Sequence, residues 1–130
     1  MTTEASNILK IKGDYETLLK LLVFVESDIS TFDIQKIVAG HMQKGEHVDG
    51  NTIDVTLVTN DNEVEFWYNT LWCGQTYAID VLAKLYPELN FEHRYIEYMS
   101  GERGYSIYKN GIRIEHNFGM NKEYFPLAEE

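Results

Sequence analysis

The chain is poor in cysteine, proline and cations. It has one Cys, two Pro, and 11 Lys plus Arg against 21 Asp plus Glu. Each shortage excludes something. A lone cysteine, Cys73, cannot close an internal disulfide, which suits a reducing cytoplasm. No apolar run approaches the roughly 20 residues of a membrane helix. The opening "MTTEASNILKIKG" lacks the basic-then-apolar order of a secretory signal, so neither membrane nor export is expected. The cation shortage leaves a formal net charge of −10. Such a surface repels phosphates, so direct nucleic-acid binding is not expected, whereas basic proteins are favoured partners. "GERGYSIYKNG" lacks the G-K-[ST] ending of a phosphate loop and does not open a helix.

What the chain does have is a 44% hydrophobic content with nine Tyr, six Phe and two Trp in 130 residues. That predicts one globular domain over residues 1–130. The aromatic content exceeds the needs of a small core, and Tyr and Trp suit interfaces because they join rigid area to a polar tip.

Period-two alternation of Leu9 and Ile11 with Lys10 and Lys12 predicts a strand over Asn7–Lys12. Asp14 is a helix N-cap, and Leu18, Leu21, Leu22 and Val25 form the buried stripe of a helix over Tyr15–Ser27. "TFDIQKIV" starts as an alternation of Phe32 and Ile34 and is read as extended, although Ile37 breaks the register. Ala39–Asn51 holds three glycines and no period, so it is read as a loop. Ile53, Val55 and Leu57, then Val64, Phe66 and Tyr68, predict a hairpin turning at Asn60-Asp61-Asn62. A helix over Thr76–Tyr86 carries Ala78, Leu82 and Leu85 on its core face and stops before Pro87. Trp72 and Cys73 are expected to fill the joint before it. Phe91, His93 and Tyr95 mark another strand, and Asn110-Gly111 between two alternating runs is the signal of a two-residue hairpin.

This order predicts an α+β fold of the ferredoxin-like, split β-α-β kind. Two helices cover one face of an antiparallel sheet, and a β-hairpin is added at the C-terminus. The second face of the sheet is left for polar residues, or for a partner.

Three stretches resemble the YubB-like ferredoxin-like family of phage and plasmid proteins. They are "N-x-L-x-I-x-G" at Asn7–Gly13, "VEFWYNTLW" at Val64–Trp72 and "VLAKLYPELNFEHRYIE" at Val81–Glu97. The chain departs from that pattern at Cys73-Gly74-Gln75 and lacks an N-terminal Trp-Cys pair. The resemblance implies the fold and a mobile-element origin; it supplies no catalytic residues.

No catalytic constellation is present in the sequence. Cys73 precedes a helix, whose N-terminus lowers a thiol pKa, but no motif sets a histidine beside it. Acid pairs such as Asp61 with Glu63 arise without purpose among 21 acids. No cofactor and no metal are expected. The reading favoured here is a non-enzymatic, acidic mobile-element protein in the host cytoplasm. It would bind and inhibit a basic, nucleic-acid-binding host protein, concretely as an anti-CRISPR protein blocking a Cas effector. The expected charges are Asp61, Glu63, Glu65, Glu92, Glu97 and Glu102, with Trp67, Tyr98 and Tyr108 as aromatic anchors. The alternative is a metal-binding regulator or small enzyme using His41, His47 and Cys73. A homodimer built through the open sheet face is a third expectation.

Overall fold

A computed structural model describes residues 4–42, 50–71 and 76–125. Six strands form one antiparallel sheet: β1 (Ala5–Lys12), β2 (Ile53–Thr59), β3 (Glu63–Thr70), β4 (Asn90–Glu97), β5 (Arg103–Lys109) and β6 (Ile112–Gly119). Their spatial order is β2-β3-β1-β4-β5-β6. The first four strands have the ferredoxin-like arrangement, and the β5–β6 hairpin extends the sheet beyond β4. β1 sits at its centre and pairs along its whole length with β3 and β4; Asn7, for example, faces Tyr68 on one side and Tyr95 on the other.

Alternation along β1 sends Ala5, Asn7, Leu9 and Ile11 under the helices. They meet Val64, Phe66 and Tyr68 of β3 and Phe91, His93 and Tyr95 of β4, all buried. Three helices cover this face: α1 (Tyr15–Val25), α2 (Ile34–Val38) and α3 (Thr76–Leu85). Asp14 caps α1 by accepting from the Thr17 amide at 3.3 Å, and Leu18, Leu21 and Val25 point inward. The helix ends two residues earlier than its sequence predicts. In α3 the buried set is Ala78, Ile79, Val81, Leu82 and Ala83. Leu85 shares their angular position but lies in the last turn, where the cover ends, and it is exposed.

The segment read as extended is instead α2. The Asp33 carboxylate accepts from the Lys36 amide at 3.1 Å and from the Asn51 side chain at 2.7 Å. Burial raises the Asp33 pKa, but hydrogen bonds from Ser27, Asn51 and the Lys36 amide outweigh it and hold the carboxyl below its usual value. Ile34, Ile37 and Val38 are buried at i, i+3 and i+4, so the Ile37 that breaks a strand period is the mark of a single helical turn. Phe32, just before it, stacks on Phe66 at 4.7 Å and meets Tyr68 edge-on at 4.9 Å.

Both turn residues of the last hairpin are left-handed, Asn110 at φ 54° and Gly111 at φ 81°, as a two-residue turn matched to strand twist requires. Each edge strand carries one register shift. In β2 the register shifts between Ile53 and Thr56, where Asp54 has φ 54°, and in β6 it shifts at Ile114.

Candidate protein-docking face

The sheet face away from the helices is built from the other half of each alternation. One row across it reads Thr56, Trp67, Ile8, Arg94, Tyr105 and Asn117. The next reads Val58, Glu65, Lys10, Glu92, Ile107 and Glu115. In this second row Glu65, Lys10 and Glu92 alternate in sign between neighbouring strands. Lys10 lies 3.9 Å from Glu65, Lys12 lies 3.8 Å from Glu63, and Arg94 forms a 3.0 Å pair with Glu92. Such partly exposed pairs contribute about 0–1 kcal/mol each, but they neutralise the face locally. A shallow depression of about 290 Å³ is lined by Ile8, Lys10, Glu65, Glu92, Arg94 and Glu123.

The face is divided. Over β4 and β5 it is covered by a C-terminal 3₁₀ turn, Lys122–Tyr124. Arg94 Nη1 donates to the Glu123 and Tyr124 carbonyls at 2.9 and 3.0 Å. Arg103 Nη1 donates to the Lys122 and Phe125 carbonyls at 3.2 and 2.7 Å. Tyr124 stacks on Tyr105, and the Arg94 guanidinium lies 4.1 Å from the centre of the Tyr105 ring. Over β2, β3 and β1 no described helix or turn covers the face. There Trp67 is 45% exposed. Tyr98, also exposed, reaches the same face: its hydroxyl lies 2.8 Å from Ser6 Oγ, which donates to Asn69 at 2.9 Å.

The nine expected docking residues thus separate. Glu63, Glu65, Trp67, Glu92 and Tyr98 share the open face. The three glutamates are ion-paired there and are not free charges. Asp61 lies at one rim, in the turn beside Gly13, whose amide donates to the Asn62 carbonyl. Glu97 and Glu102 flank the β4–β5 turn at the opposite rim. Glu97 holds that turn by accepting from the Met99 amide at 3.0 Å and from the Ser100 hydroxyl. Tyr108 is a correction: it is 1% exposed on the helix side, and its hydroxyl donates to Asp80 at 2.7 Å. It is a core residue and cannot anchor a partner. Ile96, paired with Arg103, is buried. The cations Lys10, Lys12 and Arg94 were missed as members of the face; their alternation with the apolar residues of β1 and β4 was the available signal.

On the helix side a polar group interrupts the apolar core. The Asn7 side chain donates to Thr70 Oγ1 at 3.3 Å and accepts from His93 Nε2 at 2.9 Å. His93 Nδ1 and the Tyr68 hydroxyl are buried without a hydrogen-bond partner. Ser106 Oγ and His116 Nδ1 share a 2.7 Å hydrogen bond, with Ser106 itself buried. Among the described residues no three His, Cys, Asp or Glu side chains come together in a metal-holding group. His47, Trp72 and Cys73 lie outside the described residues. His41 offers its backbone carbonyl to the Tyr77 hydroxyl at 2.6 Å. No helix among the described residues is long and apolar enough to cross a membrane.

Residues 46–123 match the family described as a ferredoxin-like domain in Api92-like protein. The chain belongs to that family. The matched stretch runs from before β2 through β6, so β1, α1 and α2 lie N-terminal to it. The ferredoxin-like part of the resemblance is borne out; the YubB-like description and a phage or plasmid origin lie beyond the match. No curated protein and no solved structure matches the chain.

Proposed function

We propose that this chain, with its ferredoxin-like domain of the Api92-like kind, is a non-catalytic binding protein encoded by a mobile element. It docks the uncovered half of its sheet on a basic, nucleic-acid-binding host protein and blocks it, as an anti-CRISPR protein acting on a Cas effector would. The observation that carries this reading is Trp67, a large ring 45% exposed on the middle strand of the uncovered part, β2, β3 and β1. Tyr98 supplies a second ring on the same face. Because Glu63, Glu65 and Glu92 are paired within the sheet, long-range attraction falls to the rim acids Asp61 and Glu102 and to the excess of acid elsewhere in a −10 chain. The paired glutamates then give register: a partner arginine can exchange with Lys10, whose pair with Glu65 is loose at 3.9 Å.

The test is capture from host lysate by the tagged full chain, with proteins identified by mass spectrometry. A basic nucleic-acid-binding protein is expected, lost in Trp67→Ala and lost at about 0.5 M salt, where exposed charges are screened. Capture that survives both changes, or a captured set without basic proteins, overturns the reading.

A further inference from the structure

β6 closes the sheet and, among the described residues, pairs only with β5. Its outer edge is apolar: Ile112, Ile114 and Phe118, with Met120 just beyond, are each more than half exposed. An exposed apolar edge with unpaired N–H and C=O groups is a template for another strand. The opposite edge strand, β2, is interrupted at Asp54. In β6 the register shift is confined to Ile114, and Glu115–Gly119 stays in unbroken register with Arg103–Ile107 up to Gly119, whose φ is 143°.

We infer that a second copy of this chain adds antiparallel to β6, on a two-fold axis through Asn117. Asn117 is the middle residue of this in-register run, so this axis alone pairs all of Glu115–Gly119 with its own copy. Glu115 then faces the partner's Gly119, and His116 faces the partner's Phe118, twice by symmetry. An axis perpendicular to the sheet keeps the two faces in register. His116 and Phe118 both lie on the helix side of β6, where both are exposed, so their rings meet across the seam as they do within one copy, at 5.6 Å. Ile114 falls opposite the partner's Met120. Charge agrees with this occupant: Arg113 and Glu115 cancel on β6, whereas the whole chain is −10. Moving the axis to Glu115 would set that carboxylate against itself, and moving it to His116 would carry the pairing into the irregular Ile114. The paired sheets leave both Trp67 faces clear, so the dimer stands independently of the proposed docking.

Asn117→Cys in a Cys73→Ser background of the full chain tests this. Directly opposed residues in an antiparallel pair are about 4.5–5.5 Å apart, within the roughly 4.4–6.8 Å that a disulfide spans. Mild oxidation is expected to give a disulfide-linked dimer of Asn117→Cys. Val23→Cys, on the outer side of α1, is expected to stay monomeric under the same conditions. Sedimentation of the wild type should give twice the 15.1 kDa chain mass, and Phe118→Lys should return the monomer with unchanged circular dichroism. A monomeric wild type, cross-linking no faster at Asn117→Cys than at Val23→Cys, or a dimer indifferent to Phe118→Lys overturns the inference.

Discussion

His93 donates its Nε2 proton to the Asn7 side-chain oxygen at 2.9 Å, while Nδ1 of the same ring is buried with no partner. The ring is therefore built in as a neutral group, since a proton on Nδ1 would have neither water nor an acceptor. Burial, assisted by His116, lowers its pKa from 6.5 to about 3.

Stability should accordingly fall as the solution becomes acidic. In the unfolded chain His93 takes up a proton near its ordinary pKa, but in the folded chain only near 3. Below the unfolded value the unfolded state holds the extra proton, so this contribution is complete above about 6.5 and is lost down to about 3. One such group gives a slope of about 1.4 kcal/mol per pH unit. Urea unfolding between about pH 7 and pH 5, above the range of ordinary carboxylates, should show it. His93→Gln keeps a donor for Asn7 and should flatten the slope. The partly exposed His116 is lowered in the same direction by burial and by Arg113, so His116→Asn isolates its smaller share. An equal slope in His93→Gln would show that this ring is not the buried neutral group.

Gly104 and Tyr95 face each other across β5 and β4, and the Tyr95 ring lies directly over the glycine. A methyl group on Gly104 would fall inside that ring. Gly104→Ala should therefore cost about 1–3 kcal/mol, as overpacking does, and lower the melting temperature by several degrees. The same substitution in a Tyr95→Leu background should cost much less. A full penalty in both backgrounds would mean the cause is backbone conformation and not the ring.

How much of this was legible in advance depended on the range of the interaction. Asn110-Gly111 is a local signal, and the hairpin is where it predicts. Val64, Phe66 and Tyr68 alternate within one strand, and all three are buried as read. The turn of α2 was misread because Phe32 and Ile34 imitate a strand, while the helix is fixed by Asp33 and by Asn51 from a distant part of the chain. Glu63 and Glu65 read as free because the lysines that pair with them arrive from another strand: alternation puts Lys10 and Glu65 on one face each, but only the β1–β3 register puts them side by side. Tyr108 failed for a similar reason. Alternation groups it with Ser106 and Gly104, but which side of the added hairpin faces α3 is settled only by its pairing with Phe91.

That placement of Tyr108 leads to a test which separates a core tyrosine from a docking one. Its ring meets Phe91 edge-on at 6.4 Å, and its hydroxyl donates to Asp80 at 2.7 Å. Burial first, then the bond to Asp80, raises its pKa, so the hydroxyl stays protonated and the donor is permanent. Tyr108→Phe removes one hydrogen bond to a carboxylate that can turn to water, and should cost about 1–2 kcal/mol in urea unfolding. Tyr108→Ala also leaves a cavity and should cost about 3–5 kcal/mol. Neither the lysate capture nor its salt dependence should change in Tyr108→Phe, because the ring never reaches the open face. Trp67→Ala should show the reverse: little change in unfolding, since the ring is nearly half exposed, and loss of capture. A Tyr108→Phe chain of wild-type stability that no longer captures its partner would mean that the hairpin turns this ring outward in solution.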